Sequence, residues 1–330
     1  MKKILILTTL SLMTFFATAS NNGDCDQHYR FEKQKTVEQT FGVAALPELE
    51  MEGIYSDFII TTWDEPQIDF KVKIMVKSNS EKAVNYLIDI INVEFIKESN
   101  WVKAKTIFEN KTNRSFNASI AIKYYVKVPE DARMYLETKY GDIIVETVKK
   151  DFKAEVKYGS LTAGNLLADN EINIKYGDLS IEYAKNLNLD MAYSDCKINK
   201  AEFIGTEISY SDFTATDIFR GVFENKYSDI RINKIKDLKA ENRYSDMRVT
   251  LDSDKPNVDI DAKYSDIKLK INENASFRYD IRVNYGDIDC GEIMGANTGR
   301  TSDGRIMGSR GGEPSGNIKA ELEYGDLRIE

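Results

Sequence analysis

In the second half of the chain, hydrophobic positions recur as pairs separated by one polar residue. The first pair is Ile143 and Val145. Leu161/Ala163, Leu179/Ile181, Cys196/Ile198, Phe213/Ala215, Ile230/Ile232, Met247/Val249, Ile267/Leu269, Ile288/Cys290 and Leu327/Ile329 follow. Lys197, Arg231, Arg248 and Lys268 sit between members. Alternation with period two describes a β-strand with one buried face. Upstream pairs such as Ala154/Val156, Ile172/Ile174, Leu189/Met191 and Ile281/Val283 predict a second strand per repeat. Val148, Leu166, Ala184, Ala201, Ile218 and Ile235 mark a second corner or a short third side.

A tyrosine stands three residues before each first member. Tyr140, Tyr158, Tyr176, Tyr193, Tyr210, Tyr227 and Tyr244 are spaced 18, 18, 17, 17, 17 and 17 residues apart. Tyr264 and Tyr285 follow after 20 and 21, and Tyr324 after 39, read as two longer coils or one with an insertion. Each opens a Tyr-[Gly/Ser]-Asp tripeptide, apart from Tyr158-Gly159-Ser160, and an isolated early copy sits at Tyr55. A repeat this short has no room for a helix, a strand and two turns. It predicts an all-β fold: a parallel β-helix, or β-solenoid, of about 17–21 residues per coil. Strands then stack ~4.8 Å apart, and neighbouring coils bury each other's apolar faces.

The tripeptide reads as a structural corner. Gly or Ser suits a tight bend, with glycine supplying any positive φ. The Asp carboxylate can accept backbone N–H bonds as an Asx-type turn. Tyrosine rings can stack on one another with their hydroxyls near water, so loss of one ring is expected to cost about 3 kcal/mol as a core truncation.

Before the regular coils, strands are predicted at Thr36–Val43, Phe58–Trp63, Ile68–Val76, Ile91–Ile96, Val102–Phe108 and Ala118–Val128. One short helix is predicted at Ser80–Ile88, with Ser80 as N-cap. Residues 35–135 thus read as an irregular β-rich cap and first coil, and 136–330 as the regular solenoid. The Gly-, Ser- and Asn-rich stretch 291–317, with Arg300, Arg305 and Arg310, reads as a flexible surface loop.

The amino terminus adds a destination. Met1-Lys2-Lys3, the apolar run Ile4–Ala17 and small Ala17 and Ala19 have the layout of a secretory signal peptide over 1–19, followed by a disordered linker over 20–34. Cys25 follows Asn22-Gly23-Asp24, which is no lipoprotein box, and no later stretch is apolar enough for a membrane helix. Export to the periplasm, outer surface or medium is expected. Formal net charge is −9, and −11 once Lys2 and Lys3 are removed, which argues against nucleic acid and anionic lipid as partners.

Little in the sequence suggests catalysis. His28 is the single histidine and lies in the expected linker, which removes His-based triads and most zinc sites. Carboxylate pairs for glycoside cleavage exist by residue type, but every candidate is a repeated structural position. The expectation is no enzyme and no cofactor. One metal hypothesis stands beside the turn reading: Asp178, Asp195, Asp212, Asp229 and Asp246 form a column that calcium could bridge. Against it, Lys139, Lys157, Lys175, Lys226, Arg243 and Lys263 precede the tyrosines as a basic row able to neutralise the acidic one. Cys196 and Cys290 fall on inward positions five coils apart, ~24 Å on strand spacing. Both are expected to be free and buried, since a disulfide needs Cα atoms within ~7 Å.

The recurring corner, the early copy Tyr55-Ser56-Asp57-Phe58-Ile59-Ile60 and the strand ending Tyr125-Val126-Lys127-Val128-Pro129 resemble a bacterial family. They are similar to candidate adhesins with autotransporter-adhesin-head-like β-strand repeats, common in Bacteroidetes. The resemblance covers most of the chain after residue 19 and implies a single-stranded, right-handed β-helix with no catalytic residues to carry over. It departs from the family in the dominance of Tyr-Ser-Asp over Tyr-Gly-Asp in the middle coils. The functional expectation is an adhesin-like binding module of the cell envelope or surface, taking an unknown protein or glycan. The alternative is a periplasmic structural or signalling accessory that binds a protein, and a polysaccharide-active enzyme is more remote.

Overall fold

The computed structural model describes residues 29–109, 117–290, 299–300, 304–312 and 314–330. The expected signal peptide, Cys25, His28 and parts of the linker and glycine-rich loop lie outside the described residues. The chain divides into two compact units. One runs to Lys150 and includes Val156–Gly159; the other comprises Asp151–Glu155 and Ser160–Glu330.

In the first unit the order is β1 (Phe31–Gly42), β2 (Glu48–Ile54), β3 (Ser56–Trp63), β4 (Gln67–Ser78), α1 (Glu81–Ile90), β5 (Ile91–Glu98), β6 (Trp101–Phe108), β7 (Ala118–Pro129), β8 (Arg133–Lys139) and β9 (Ile143–Val148). Strand β10 (Phe152–Lys157) falls across the divide. On one side β1 and β4 pair antiparallel, β4 and β7 antiparallel, β7 and β3 parallel, and β3 and β9 parallel. On the other, β5 and β6 pair antiparallel, β6 and β2 parallel, and β2 and β8 parallel. Alternation buries Ile68, Phe70, Val72, Ile74 and Val76 of β4. Ser80 caps α1, its Oγ accepting from the Ala83 N–H, and the helix buries Ala83, Val84, Leu87 and Ile88.

Three expectations change here. The chain is already a strand at Phe31, inside the expected linker, because β1 pairs with β4 along its whole length from Phe31↔Ser78. Phe-Glu-Lys-Gln carries no apolar alternation, so only the backbone ladder reveals it. The helix runs two residues past Ile88. Tyr55 is no isolated copy: β2 and β3 stack on β8 and β9, so its coil lies directly beside that of Tyr140, and the intervening residues are an excursion.

The second unit is built from long strands: β11 (Leu161–Lys175), β12 (Asp178–Ala192), β13 (Asp195–Ser209), β14 (Asp212–Lys226) and β15 (Asp229–Arg243). Each is nearly a whole coil, where two or three short strands were expected, bending at the buried position of Ala184, Ala201 and Ile218. Successive strands pair in parallel and in register, Ile181↔Ile198↔Ala215↔Ile232. The two sides of a coil face each other: Phe213 on the first meets Phe223 on the second, edge to face at 5.4 Å. This core buries apolar area as expected of stacked coils.

Later coils break at a loop, giving β16 (Met247–Leu251) with β17 (Asn257–Lys263), and β18 (Ile267–Ile271). Then come β19 (Phe277–Asn284), β20 (Ile288–Asp289), β21 (Gly299–Arg300), β22 (Arg305–Arg310), β23 (Gly316–Glu323) and β24 (Leu327–Ile329). Here the chain leaves sequence order. β23 lies between β17 and β19, parallel to both, and β24 lies between β18 and β20. The Tyr324 coil is therefore inserted between those of Tyr264 and Tyr285, which corrects both readings of the 39-residue gap. The described part of the expected flexible loop contains β21 and β22. β22 pairs antiparallel with β19, and Arg305 forks onto Asp280 at 2.7 and 2.6 Å. Gly316 serves close approach, since a Cβ there would lie 2.7 Å from the Pro256 carbonyl oxygen.

Candidate functional site

Repetition makes the corner the first candidate. In both units every corner tyrosine holds φ between +52° and +61°. The left-handed residue is thus tyrosine, not the Gly or Ser after it, and this overturns the expected role of glycine. A side chain in this region costs roughly 1–2 kcal/mol. Offsetting it, the tyrosine N–H continues the ladder onto the next coil, as from Tyr193 to the Ser209 carbonyl and from Tyr227 to that of Arg243.

The Gly and Ser corners differ. Ser194, Ser211, Ser228, Ser245 and Ser265 are buried. Each hydroxyl donates to the carbonyl two residues back, as Ser228 Oγ does to Lys226 at 2.8 Å. Each also accepts the N–H of the previous corner, so Ser194, Ser211, Ser228 and Ser245 donate to Ser211, Ser228, Ser245 and Ser265. Glycine corners approach the neighbouring backbone instead: a Cβ on Gly141 would sit 2.1 Å from the Ser56 carbonyl oxygen.

Four corner aspartates accept backbone N–H bonds from the next coil. Asp57 accepts from the Asp142 N–H, Asp246 from Asp266, Asp266 from Asp326, and Asp326 from Asp287. Asp178, Asp195, Asp212 and Asp229 stand in register as the expected column. Among the described residues no group of three or more His, Cys, Asp or Glu is gathered to hold a metal ion. Two members of the basic row have carboxylate partners outside this column. Asp229 meets Arg231, two residues on, at 3.1 Å. Arg243 instead pairs with Asp261, and Lys263 with Glu323.

The tyrosine rings stack. In the first unit Tyr55, Tyr140 and Tyr158 follow one another at 5.3 and 5.0 Å. In the second, Tyr176, Tyr193, Tyr210, Tyr227, Tyr244, Tyr264, Tyr324 and Tyr285 form a ladder with centroids 4.8–5.0 Å apart and planes within 2–8° of parallel. Tyr227 is 49% exposed, so the ladder is an edge and not a core.

A second candidate was missed in the sequence. On the outer surface of the second side, Asp190, Glu207, Glu224, Glu241, Asp261 and Glu321 stand in register on successive coils. Each is three residues before a corner tyrosine, which is the signal that could have found it. Beside this column a groove of about 440 Å³ runs past Glu171, Asn188, Asp190, Gly205, Glu207 and Glu224.

Cys196 is buried and free, and burial pushes its thiol well above the ordinary range. Cys290 is only half-buried, because it ends the outermost coil; burial and then Asp289 raise it to about 11. The inserted coil sets the two six coils apart, ~29 Å on strand spacing, so they cannot bond. No helix of the described residues is long and apolar enough to cross a membrane.

No curated relative matches the sequence. Among solved structures, a candidate adhesin from Bacteroides fragilis is 11% identical over 90% of this chain and 97% of its own, with a TM-score of 0.40. A candidate adhesin from Parabacteroides merdae is 10% identical over 89% and 96%, at 0.42. A candidate lipid-binding protein from Parabacteroides distasonis is 11% identical over 89% and 96%, also at 0.42. Likeness of this size says nothing about a ligand. The family model does cover most of the chain: residues 69–330 match Toastrack DUF4097, and the chain belongs to that family.

Proposed function

We propose that this chain is an exported, non-enzymatic binding module of the cell envelope or surface, and that it binds an extended, positively charged segment of a protein along the second side of its coils. The observation that carries this reading is the groove beside the in-register carboxylate column from Asp190 to Glu321. Strand stacking sets the charges in a line along the stack of coils, and a linear array suits an elongated segment better than a compact ligand. The corner residues bond to one another between coils, which leaves the outward columns for recognition. The coils are taken to be right-handed, the hand that parallel crossovers in a sheet adopt.

The test is an array of basic peptides, host-matrix proteins and glycans probed with the purified chain, repeated with Glu207→Gln/Glu224→Gln. Binding to basic peptides that weakens with salt and in the double variant is expected. Uniform blanks, or glycan binding indifferent to the variant, overturn the cationic-ligand reading. Protease shaving of intact cells tests the surface: a shielded chain favours the periplasmic accessory instead.

A further inference from the structure

The tyrosine ladder offers chemistry that the binding reading does not use. Eight rings of the second unit, from Tyr176 to Tyr285, stand within 4.8–5.0 Å of their neighbours and within 2–8° of parallel. Near-parallel rings repeated by one coil are related almost by translation. The same ring carbons therefore face each other from rung to rung. The left-handed corner fixes every Cα–Cβ bond alike. All eight rings are at least 41% exposed, so a dissolved oxidant can reach each of them.

We propose that this ladder is a site of oxidative cross-linking, where a one-electron oxidant joins stacked neighbours as dityrosine. Each of two adjacent tyrosines gives one electron to the oxidant and its phenolic proton to water. The two phenoxyl radicals form one C–C bond between ring carbons ortho to oxygen. The hydrogens on those carbons then shift to the oxygens, restoring both phenols. Two electrons and two protons leave in all. The bond would staple one coil to the next, as a disulfide would, by restricting the unfolded chain. Between the described cysteines no disulfide can do this, because Cys196 and Cys290 are far apart.

The experiment uses the purified full chain at low concentration with photogenerated ruthenium(III), followed by proteolysis and mass spectrometry. Links are expected between partners in space: Tyr264 with Tyr324 and Tyr285 with Tyr324, but not Tyr264 with Tyr285. Tyr324→Phe keeps the stacked ring and should remove both links while leaving Tyr227–Tyr244. The cross-linked monomer should unfold at higher temperature. Dityrosine no more abundant than in the urea-unfolded chain overturns the proposal. So do links that ignore the stacking order or favour Tyr125, which is exposed but outside the ladder.

Discussion

Tyr264 stacks on Tyr324 with ring centroids 4.9 Å apart and planes 5° from parallel, although Tyr285 is the next corner in sequence. The backbone agrees, since the Asp326 N–H donates to Asp266 Oδ1 at 2.9 Å. The carboxy-terminal coil thus fills a slot between two coils made earlier in the chain, and β19 rests on it.

Truncation after Pro314 should therefore unsettle residues that precede the cut. Without β23 and β24, strand β19 loses its parallel neighbour and keeps only β22. Hydrogen exchange should show lost protection in β19 and β22 and intact protection over 161–243. Retained protection in β19 would mean that its coil restacks directly on that of Tyr264, and the slot would then not be needed for order.

The tyrosine corner predicts an inverted glycine effect. Tyr227→Ala loses a half-exposed stacked ring and keeps φ near +53°. Its cost should be about 2 kcal/mol, below the core-truncation figure suggested by the sequence. Tyr227→Gly loses the same ring but relieves the left-handed strain, so it should be more stable than the alanine variant by about 1 kcal/mol. Urea unfolding of the pair measures the difference, and equal midpoints would contradict a strained tyrosine.

Gly and Ser look interchangeable at the second corner position, but the structure says otherwise. Ser228→Ala strands the buried Ser211 N–H, which donates to Ser228 Oγ at 3.2 Å, and should cost about 2 kcal/mol. Gly141→Ser drives a Cβ into the Ser56 carbonyl and should cost about 3 kcal/mol or more unless the corner shifts. Thermal unfolding of both variants checks this; a neutral Gly141→Ser would show that the two corner types interconvert freely.

The period, the strand alternation and the inward residues were readable because they are local. Each follows from what one coil must bury, and Cys196, Phe213 and Ile230 all fall where alternation puts them. Coil order was not readable. Every coil offers its neighbour the same register and the same tyrosine, so nothing local tells Tyr264 to choose Tyr324 over Tyr285. The corner's φ was misassigned because glycine is the usual left-handed residue, and stacking together with the backbone ladder here outweighs that preference. The carboxylate column was overlooked because each member is an ordinary exposed residue until coils are superposed.

Acid should loosen the pairing of β19 with β22 first. The Arg305 guanidinium beside Asp280 holds that carboxyl below the ordinary aspartate range. A lowered folded-state value means that the ion pair contributes stability above the unfolded-state value of about 3.9. That contribution is lost as pH falls through the still lower folded value. The pair is exposed and screened, so the effect is local and small. Between neutral pH and pH values below about 3.9, amide protection in β22 and β19 should fall ahead of protection in β13 and β14. Asp280→Asn should remove the pH dependence of the β19–β22 step and leave the rest of the acid response unchanged. A variant that keeps the full dependence would show that another carboxylate governs the pairing.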